Sequence, residues 1–319
     1  MRLVTLHSHP RSSAGVVLGD EIVNLAACAP LLPEARCIPS SVRGILEGGD
    51  TALDLVRRVH GQIGNANDSL REQLQARGAL VPLAGARLLA PVPDARMVLS
   101  CGMNYRKHLH EMGGTVPDKP LSFSKSVHAI IGPDAPIVLP TLHPDMVDWE
   151  IEFSAVIGRP CHNVSREEAL GHVAGYTLIN DVSARNWVAR FGALQGMAAI
   201  EGWEQNLLGK HFPTFCPMGP TLATKDELPN PDSVNIELKL NGEVMQSACT
   251  DDLVFSVATL ISHYSHYYAF QPGDVITTGS PAGVGFGRNP SIFLKAGDVV
   301  TLSADGIGVM NNPVTRHPA

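Results

Sequence analysis

Two glutamates, Glu150 and Glu152, lie two positions apart in an apolar segment that predicts a β-strand. Successive side chains of a strand point to opposite faces, so the two carboxylates lie on one face. Trp149, Ile151 and Phe153 line the other face. Like charges this close repel each other unless water or a cation lies between them, and carboxylate oxygens suit a hard metal ion. The alternative is a half-exposed strand with a solvated acidic face, which is the ordinary environment of acidic residues.

A third carboxylate, Asp181, follows a second apolar segment, residues 176–180, that also predicts a strand. Asp181 could therefore complete a trio with Glu150 and Glu152. Three carboxylates with water suit octahedral Mg²⁺ or Mn²⁺ and leave coordination positions for substrate oxygens. The alternative is that Asp181 caps the segment that follows it.

A histidine and a glutamate lie three positions apart after a predicted buried strand over residues 97–102. Asn104 is a suitable N-cap for a helix that would end at Gly113. His108 and Glu111 then share one face of that helix. A carboxylate that binds an imidazole fixes its tautomer and supports it as a proton acceptor near neutral pH. The pair predicts a general base, and the alternative is an exposed helix with an incidental His–Glu pair.

The composition is that of a globular protein and gives no support for a nucleic-acid partner. The 319 residues include 24 Lys and Arg against 31 Asp and Glu, a net charge of −7, without a basic run. The first ten residues lack the apolar core of a signal peptide, and no segment approaches the ~20 apolar residues needed to cross a bilayer. We therefore expect a cytoplasmic protein with no membrane and no nucleic-acid partner.

The cysteines and histidines give no local metal motif. The six cysteines form no C-x-x-C pair, and the 13 histidines show no H-x-x-x-H or H-E-x-x-H pattern. Any metal ion should therefore be bound by oxygen. Residues 279–287 are rich in glycine, but their spacing differs from G-x-G-x-x-G and no helical pattern follows, which argues against a dinucleotide site.

The first ninety residues predict a small N-terminal α/β cap. Residues 16–25 predict a β-hairpin around a Gly-Asp turn. Residues 41–60 and 68–77 carry apolar residues at helical spacing. A stretch punctuated by prolines follows, which places the expected domains at 1–93 and 94–319.

Beyond the acidic strand, two further helices are predicted. Ser165 and Glu168 have the form of a capping box, and the helix that they open would end at Gly175. Asp251 or Asp252 would cap an apolar helix nearer the C-terminus.

The rest of this part predicts a hairpin and a long loop. Residues 234–246 contain an Asn-Gly turn between two strand patterns, which indicates a hairpin. Residues 186–209 are weakly periodic and predict a long loop or lid beside Lys210, and loops of that length are more often functional than not.

Six segments in this order resemble the fumarylacetoacetate hydrolase superfamily, in its acylpyruvate hydrolase-like branch. The segments are 102–111 (GMNYRKHLHE), 148–152 (DWEIE), 175–185 (GYTLINDVSAR), 210–212 (KHF), 241–243 (NGE) and 272–281 (PGDVITTGSP). Their joint occurrence is far more specific than any one of them. The resemblance implies an α+β, mainly β chain. Its mixed β-roll would be of the fumarylacetoacetate hydrolase C-terminal type, would carry the small N-terminal α/β cap, and would form a homodimer.

The resemblance also implies roles for the residues singled out above. A metal ion would be held by Glu150, Glu152 and Asp181, with Mg²⁺ expected and Mn²⁺ or Ca²⁺ as alternatives. His108 and Glu111 would form a catalytic dyad that activates water.

Further residues gain implied roles from the same resemblance. Lys210 would be catalytic and lie near a developing oxyanion. Substrate contacts are implied for Arg185, Lys125, Tyr105 and Ser280. Val188 stands where many members carry a glutamine, which removes one polar contact near the substrate.

Hydrolysis of a C–C bond in a 2,4-dioxo acid, such as an acylpyruvate or fumarylpyruvate, is the function that the resemblance favours. Such a step belongs to aromatic or amino-acid catabolism. The alternative is decarboxylation or keto–enol isomerisation of an oxaloacetate-type acid. A third interpretation is a non-catalytic β-rich metal or ligand module, which is disfavoured because His108, Glu111 and Lys210 would then share no purpose.

Overall fold

A computed structural model describes residues 1–7, 12–186 and 195–316. The strands of the N-terminal half are β1 Arg2–Leu6, β2 Ser13–Leu18, β3 Glu21–Asn24, β4 Leu80–Pro82, β5 Leu88–Leu89, β6 Val98–Gly102, β7 Leu121–Lys125, β8 Ile130–Ile131, β9 Ile137–Leu139 and β10 Val147–Asp148. Those of the C-terminal half are β11 Ile151–Ile157, β12 Val173–Asn180, β13 Ser183–Ala184, β14 Cys216–Thr224, β15 Asn235–Leu240, β16 Glu243–Cys249, β17 Val275–Thr277, β18 Val299–Ala304 and β19 Gly308–Arg316. The α-helices are α1 Leu25–Cys28, α2 Val42–Glu47, α3 Gly49–Gly64, α4 Asp68–Ala76, α5 Arg106–Glu111, α6 Arg166–Ala169, α7 Met197–Leu208 and α8 Val257–Ser265.

Most strands belong to two mixed sheets. The larger sheet has the order β4-β3-β2-β1-β14-β12-β11-β17-β6-β7, with β5 paired to β1 and β8 to β14. The smaller has the order β16-β15-β18-β19-β9, and β10 pairs with β13. Neighbours are antiparallel except for β17 with β6, β14 with β8 and β19 with β9. The predicted mainly β architecture with mixed sheets is confirmed.

The N-terminal strands extend the large sheet instead of forming a sheet of their own. The predicted hairpin is present as β2 and β3, and β1 pairs with β14 through Leu3 and Leu222. The helix predicted over 41–60 is divided into α2 and α3, because Gly49 has a positive φ of 59° that interrupts a right-handed helix. The domain boundary near residue 93 stays a prediction.

The face of β11 opposite the two glutamates is anchored in the main hydrophobic core. Trp149, Ile151 and Phe153 are fully buried there, as the alternation predicts. Phe153 stacks on Tyr176 of β12 with ring centroids 5.1 Å apart, an arrangement that contributes about 0.5–1.5 kcal/mol beyond buried area. This packing fixes the strand, and therefore the direction of its carboxylates.

Two predicted helix ends are wrong. Helix α5 begins at Arg106 with Tyr105 as N-cap, because the Asn104 side chain instead binds the backbone of distant segments. The capping box of Ser165 is present, but α6 ends at Ala169 and Gly175 lies inside β12. A Cβ on Gly175 would lie 2.1 Å from the Ala223 carbonyl oxygen, so this glycine permits close strand pairing instead of ending a helix.

The last helix and the predicted long loop also differ from expectation. Helix α8 is capped by Ser256, whose side chain accepts the Thr259 N–H, while residues 250–252 form a separate 3₁₀ turn. Within the predicted loop 186–209, α7 occupies Met197–Leu208, a stretch rich in helix formers such as Ala, Glu and Leu. Val188 lies outside the described residues.

Candidate active site and metal centre

The carboxylate trio is assembled where β11 begins and β12 ends. These strands are antiparallel with Ile151 opposite Asn180, and the Asp181 N–H donates to the Glu150 carbonyl at 2.8 Å. Oxygens of Glu150, Glu152 and Asp181 lie within 4.8 Å of one another. The proximity inferred from the sequence is therefore present in the structure.

Burial tests the alternative of a solvated acidic face. Glu150 is 7% exposed, and Glu152 and Asp181 are each 1% exposed. Carboxylates this deeply buried need cationic or hydrogen-bonding partners, because desolvation penalises their charge. The solvated-face alternative is wrong.

Lys210 supplies one cationic partner. Its Nζ lies 2.6 Å from Glu150 Oε2, 2.6 Å from Asp181 Oδ2 and 2.8 Å from Ser183 Oγ. These three contacts engage all three N–H donors of the ammonium. Burial lowers the pKa of Lys210, but the two carboxylates outweigh it and hold that pKa above its ordinary value. The oxyanion role of Lys210 stays a prediction; the structure places its ammonium on the trio.

Lys125 is the second ammonium at this centre. Its side chain is fully buried and donates to Asp181 Oδ1, to the Val182 carbonyl at 3.2 Å and to the Lys210 carbonyl at 2.9 Å. Its donors are therefore all directed at protein acceptors. The implied substrate contact of Lys125 stays a prediction, and the observed contacts fix Asp181 and the backbone of Lys210.

Arg185 joins the trio to a fourth carboxylate, Asp148. Its Nη2 lies 2.5 Å from Glu150 Oε1, and its Nε lies 3.1 Å from Asp148 Oδ2. Burial lowers the pKa of Arg185, but the two carboxylates outweigh this effect, so the pKa lies above its ordinary value. Burial raises the pKa of Glu150, but Arg185 and Lys210 outweigh this effect and hold the pKa well below its ordinary range. The implied substrate contact of Arg185 stays a prediction.

Glu152 is the carboxylate whose charge is least compensated. Burial, followed by the charges of Asp181 and Glu150, raises its pKa well above the ordinary value. Among the described residues it forms no ion pair, and the Ser100 hydroxyl donates to its Oε2 at 3.1 Å. Four buried carboxylates, those of Asp148, Glu150, Glu152 and Asp181, thus face three cationic side chains, those of Lys125, Arg185 and Lys210.

The trio fits a divalent cation. Its donors are all carboxylate oxygens, which suit hard ions, and the Lys210 ammonium shows that a positive charge is accommodated between Glu150 and Asp181. The four carboxylates outnumber the three cationic side chains that bind them, which favours a further positive charge beside Glu152. The identity of the ion stays a prediction.

The His108–Glu111 dyad is present on α5. His108 is buried, and its Nδ1 lies 2.8 Å from Glu111 Oε2. The Gly283 N–H donates to Glu111 Oε1 at 2.9 Å. Burial raises the pKa of Glu111, but the hydrogen bonds from His108 and Gly283 outweigh it, so the pKa lies below the ordinary value. An ionised Glu111 accepts Nδ1–H and leaves His108 Nε2 as the proton-accepting atom.

The two other implied substrate residues are buried. Tyr105 is completely buried in the main hydrophobic core. Ser280 is 4% exposed, and its hydroxyl accepts a hydrogen bond from Gln246 Nε2 at 2.8 Å. Gln246 Oε1 accepts the Ile151 N–H at 3.0 Å, so Ser280 is connected to the acidic strand. Their contacts with substrate stay predictions.

Three contributors to the site were missed from the sequence. Asp148 is the second carboxylate, beside Glu150, that binds Arg185. The Ser100 hydroxyl donates to Glu152, and Asn180 Oδ1 accepts the Glu150 N–H at 2.9 Å. The alternation that grouped Glu150 and Glu152 could have included Asp148, which lies two positions before Glu150. No comparable pattern identifies Ser100, because its contact depends on strands far apart in the chain.

Comparison with known proteins places this site in a family context. Residues 97–315 match the family described as fumarylacetoacetate hydrolase C-terminal. The chain is 36% identical to oxaloacetate tautomerase fahd2, mitochondrial, from Xenopus laevis, over 98% of this chain and 90% of the relative. It is 39% identical to human oxaloacetate tautomerase FAHD2B, mitochondrial, over 93% of this chain and 84% of the relative.

A solved structure is similar over the full length of both chains. Maleylpyruvate hydrolase from Sphingobium sp. SYK-6, in complex with manganese(II) and pyruvate, has 28% identity and a TM-score of 0.70, covering 100% of each chain. In the described part of this chain, none of the helices is both long and apolar enough to cross a membrane.

Proposed function

Because the chain belongs to the fumarylacetoacetate hydrolase family, we propose that it interconverts the keto and enol forms of a small 2-oxo acid, with oxaloacetate as the first candidate substrate. The observation that carries this proposal is the His108–Glu111 dyad, whose imidazole is buried and whose carboxylate is connected through the loop Gly283–Gly285 to Asp148 beside the trio. The names of the relatives that are 36% and 39% identical over nearly the whole chain support the same reaction. The isomerase alternative is thereby favoured over the hydrolase.

Tautomerisation requires a proton acceptor beside the substrate and stabilisation of charge on the substrate oxygen. His108 Nε2 takes a proton from the carbon next to the keto group, while Glu111 holds Nδ1–H and stabilises the imidazolium that forms. The C–H electron pair becomes the C=C bond while the C=O π pair moves to the keto oxygen, which takes a proton from solvent to give the enol, and the imidazolium returns its proton to solvent. The reverse sequence returns the keto form, and no water molecule is consumed.

The carboxylate cluster has a separate task in this proposal. Glu150, Glu152 and Asp181 would hold a divalent cation, which supplies Lewis-acid stabilisation and a template for the substrate's oxygens when bound. Lys210 and Lys125 keep Glu150 and Asp181 in place by ion pairs. A bound Mn²⁺ in the similar maleylpyruvate hydrolase supports a metal of this class.

Hydrolysis of an acylpyruvate is the second candidate. It is favoured by the similarity to maleylpyruvate hydrolase, whose structure holds pyruvate. The same dyad would then remove a proton from water instead of carbon. The hydroxide would add to the distal carbonyl carbon, and the C–C bond would break as its electron pair leaves with the enolate of pyruvate, which takes up a proton. The two reactions therefore differ in their products while sharing His108, Glu111 and the carboxylate cluster.

Proton NMR of oxaloacetate in D₂O, with Mn²⁺ at catalytic concentration or with Mg²⁺, tests the proposal. The wild-type protein should accelerate keto–enol exchange and deuterium incorporation at C3, and His108→Ala should not. Pyruvate release from acylpyruvates and CO₂ release from oxaloacetate are followed in parallel. Faster acylpyruvate cleavage than tautomerisation would make hydrolysis the function, and faster CO₂ release would make decarboxylation the function.

The remaining expectations on partners and location stay predictions. A small oxo-acid substrate is consistent with the family, and homodimer formation awaits measurement of the mass in solution. The relatives in Xenopus laevis and humans carry "mitochondrial" in their names, and these names do not support the expected cytoplasmic location.

A further inference from the structure

We propose that Asp148 is a positioning residue for the catalytic dyad, acting through the glycine-rich segment 283–287. This inference rests on the proposed function, in which His108 is the proton acceptor. Asp148 fixes the segment on which Glu111 docks, and Glu111 in turn orients His108. Asp148, which is buried beside the trio, therefore determines the orientation of the His108 imidazole.

The Asp148 carboxylate is fully buried and accepts four hydrogen bonds. Its Oδ1 accepts the Gly285 N–H at 2.7 Å and the Trp149 N–H at 2.9 Å. Its Oδ2 accepts the Phe286 N–H at 3.1 Å and the Arg185 Nε–H at 3.1 Å. Two successive amides of the glycine-rich segment thus converge on one carboxylate, an arrangement in which charge-assisted hydrogen bonds are strong.

Glu111 binds the same segment at Gly283, two residues before the first amide that binds Asp148. The Gly283 N–H donates to Glu111 Oε1 at 2.9 Å, and Glu111 Oε2 binds His108 Nδ1 at 2.8 Å. A shift of the segment would therefore move the carboxylate that orients the imidazole. The Trp149 indole N–H also donates to the Gly283 carbonyl at 3.3 Å, which fixes the docking point from the acidic strand.

The glycines at 285 and 287 lie where the two carboxylates approach the backbone closely. A Cβ at Gly285 would lie 2.0 Å from the Ile292 carbonyl oxygen and 2.6 Å from Asp148 Oδ1. A Cβ at Gly287 would lie 3.0 Å from Glu111 Cδ. The glycine pattern, which does not fit a dinucleotide site, is thus explained by close contact with Asp148 and Glu111.

The start of α5 is fixed by other contacts, so the segment controls mainly its far end. Asn104 Nδ2 donates to the Phe255 carbonyl at 3.1 Å and to the Thr278 carbonyl at 2.9 Å. The Lys107 N–H donates to Asp252 Oδ2 at 3.1 Å. Glu111 is the last residue of α5, and its bond to Gly283 joins that end to the glycine-rich segment.

Hydrogen–deuterium exchange of the full-length protein in Mn²⁺ separates this role from a merely structural one. Asp148→Asn removes the negative charge and replaces one of the two acceptor oxygens by an NH₂ donor, so two of the four hydrogen bonds are lost. Gly287→Ala disturbs the Glu111 contact without touching Asp148. Gly171→Ala is the matched control, because a Cβ there meets no atom within 4 Å.

The expected result is coupled exchange. In Asp148→Asn, peptides covering 283–287 and 106–112 should both exchange faster than in the wild type, and in the control neither should. Gly287→Ala should accelerate exchange in 106–112. For both variants kcat should fall by about 10–10²-fold, the scale of a small misplacement of a catalytic group, with KM nearly unchanged. Calorimetric Mn²⁺ affinity should be retained in Gly287→Ala.

Two results would overturn the proposal. One is faster exchange at 283–287 with no change at 106–112 in Asp148→Asn. The other is an unchanged kcat in Gly287→Ala together with unchanged exchange at 106–112, and it decides the matter if Asp148→Asn does not fold. Exchange is measured without substrate, so coupled exchange in a protein that lacks tautomerase activity would refute the proposed function and leave the positioning role intact.

Discussion

The buried carboxylates of this protein differ in what their charges do for folding. Asp181 lies between two ammonium groups, those of Lys125 and Lys210, whereas Glu152 forms no ion pair among the described residues. Breaking a buried pair leaves an uncompensated charge, whereas removing an unpaired buried charge relieves desolvation and repulsion. The same change from carboxylate to amide should therefore have opposite effects at these two positions.

We predict that Asp181→Asn lowers the free energy of unfolding by about 3–5 kcal/mol, the typical cost of breaking a buried pair. Glu152→Gln should leave that free energy unchanged or raise it, because the pKa of Glu152 is already raised by burial and by Asp181 and Glu150. Urea denaturation in the presence of a chelator measures both values. Equal destabilisation by the two substitutions would show that Glu152 has a stabilising cationic partner after all.

At the dyad we predict a loss of rate without a loss of binding. His108→Ala removes the proton acceptor and should reduce kcat for tautomerisation by ~10²–10⁴-fold. Glu111→Gln acts through the same imidazole, so the double variant should be little worse than the more damaging single variant. Steady-state kinetics test this. Additive losses from the two substitutions would show that Glu111 has a separate role.

The sequence was sufficient to group Glu150 with Glu152 and His108 with Glu111, but not to identify the side chains that bind them. Glu150, Glu152 and the His108–Glu111 pair follow from the periodicity of a strand and a helix, which is local. The contacts of Lys125 and Lys210 depend on segments 56 and 29 residues from Asp181, and no local pattern encodes them. Lys125 and Arg185, two of the four side chains implied to touch substrate, are therefore found bound to the protein's own carboxylates.

At the scale of elements, predictions succeeded where the pattern was local and failed where a neighbouring strand decided the outcome. The hairpins around Gly19 and Gly242 were predicted correctly, because both turns need positive φ and both glycines have it. The sequence predicts a helix end at Gly175, but the role of this glycine is set by Ala223 on another strand. Helix α7 could have been predicted from propensity alone, as its composition favours a helix.

The junction between α7 and Lys210 gives a prediction for an element. Gly209 follows α7, and a Cβ there would lie 2.6 Å from the Ala184 carbonyl oxygen. The Ala184 N–H also donates to the Gly209 carbonyl at 2.9 Å, so the junction is packed against β13. Gly209→Ala should cost about 1–3 kcal/mol through overpacking and should lower kcat, because Lys210 is the next residue.

Thermal unfolding and initial rates at saturating substrate measure these two effects. Gly171→Ala again serves as the control, since a Cβ there has open space. A Gly209→Ala protein with wild-type stability and wild-type kcat would show that the backbone around Lys210 adjusts freely.

At the scale of the whole molecule, the site joins parts of the chain that are far apart in sequence. The trio lies where β11 and β12 meet inside the large sheet, α5 follows β6 of the same sheet, and the glycine-rich segment follows β17, which pairs with both β6 and β11. A ligand that binds the trio in the folded protein has no such site in the unfolded chain. Metal binding should therefore stabilise the whole fold by mass action.

We predict that Mn²⁺ at 100 times its dissociation constant raises the free energy of unfolding by about 2.7 kcal/mol and raises Tm by several degrees. The shift should grow with the logarithm of the Mn²⁺ concentration. Glu152→Gln should reduce it strongly, because it removes one of three ligands, while the exposed Glu243→Gln should retain it. Differential scanning calorimetry over a series of Mg²⁺, Mn²⁺ and Ca²⁺ concentrations gives the order of affinity. A Tm that is independent of all three ions in the wild type, or an equal shift in Glu152→Gln, would refute a metal centre at Glu150, Glu152 and Asp181.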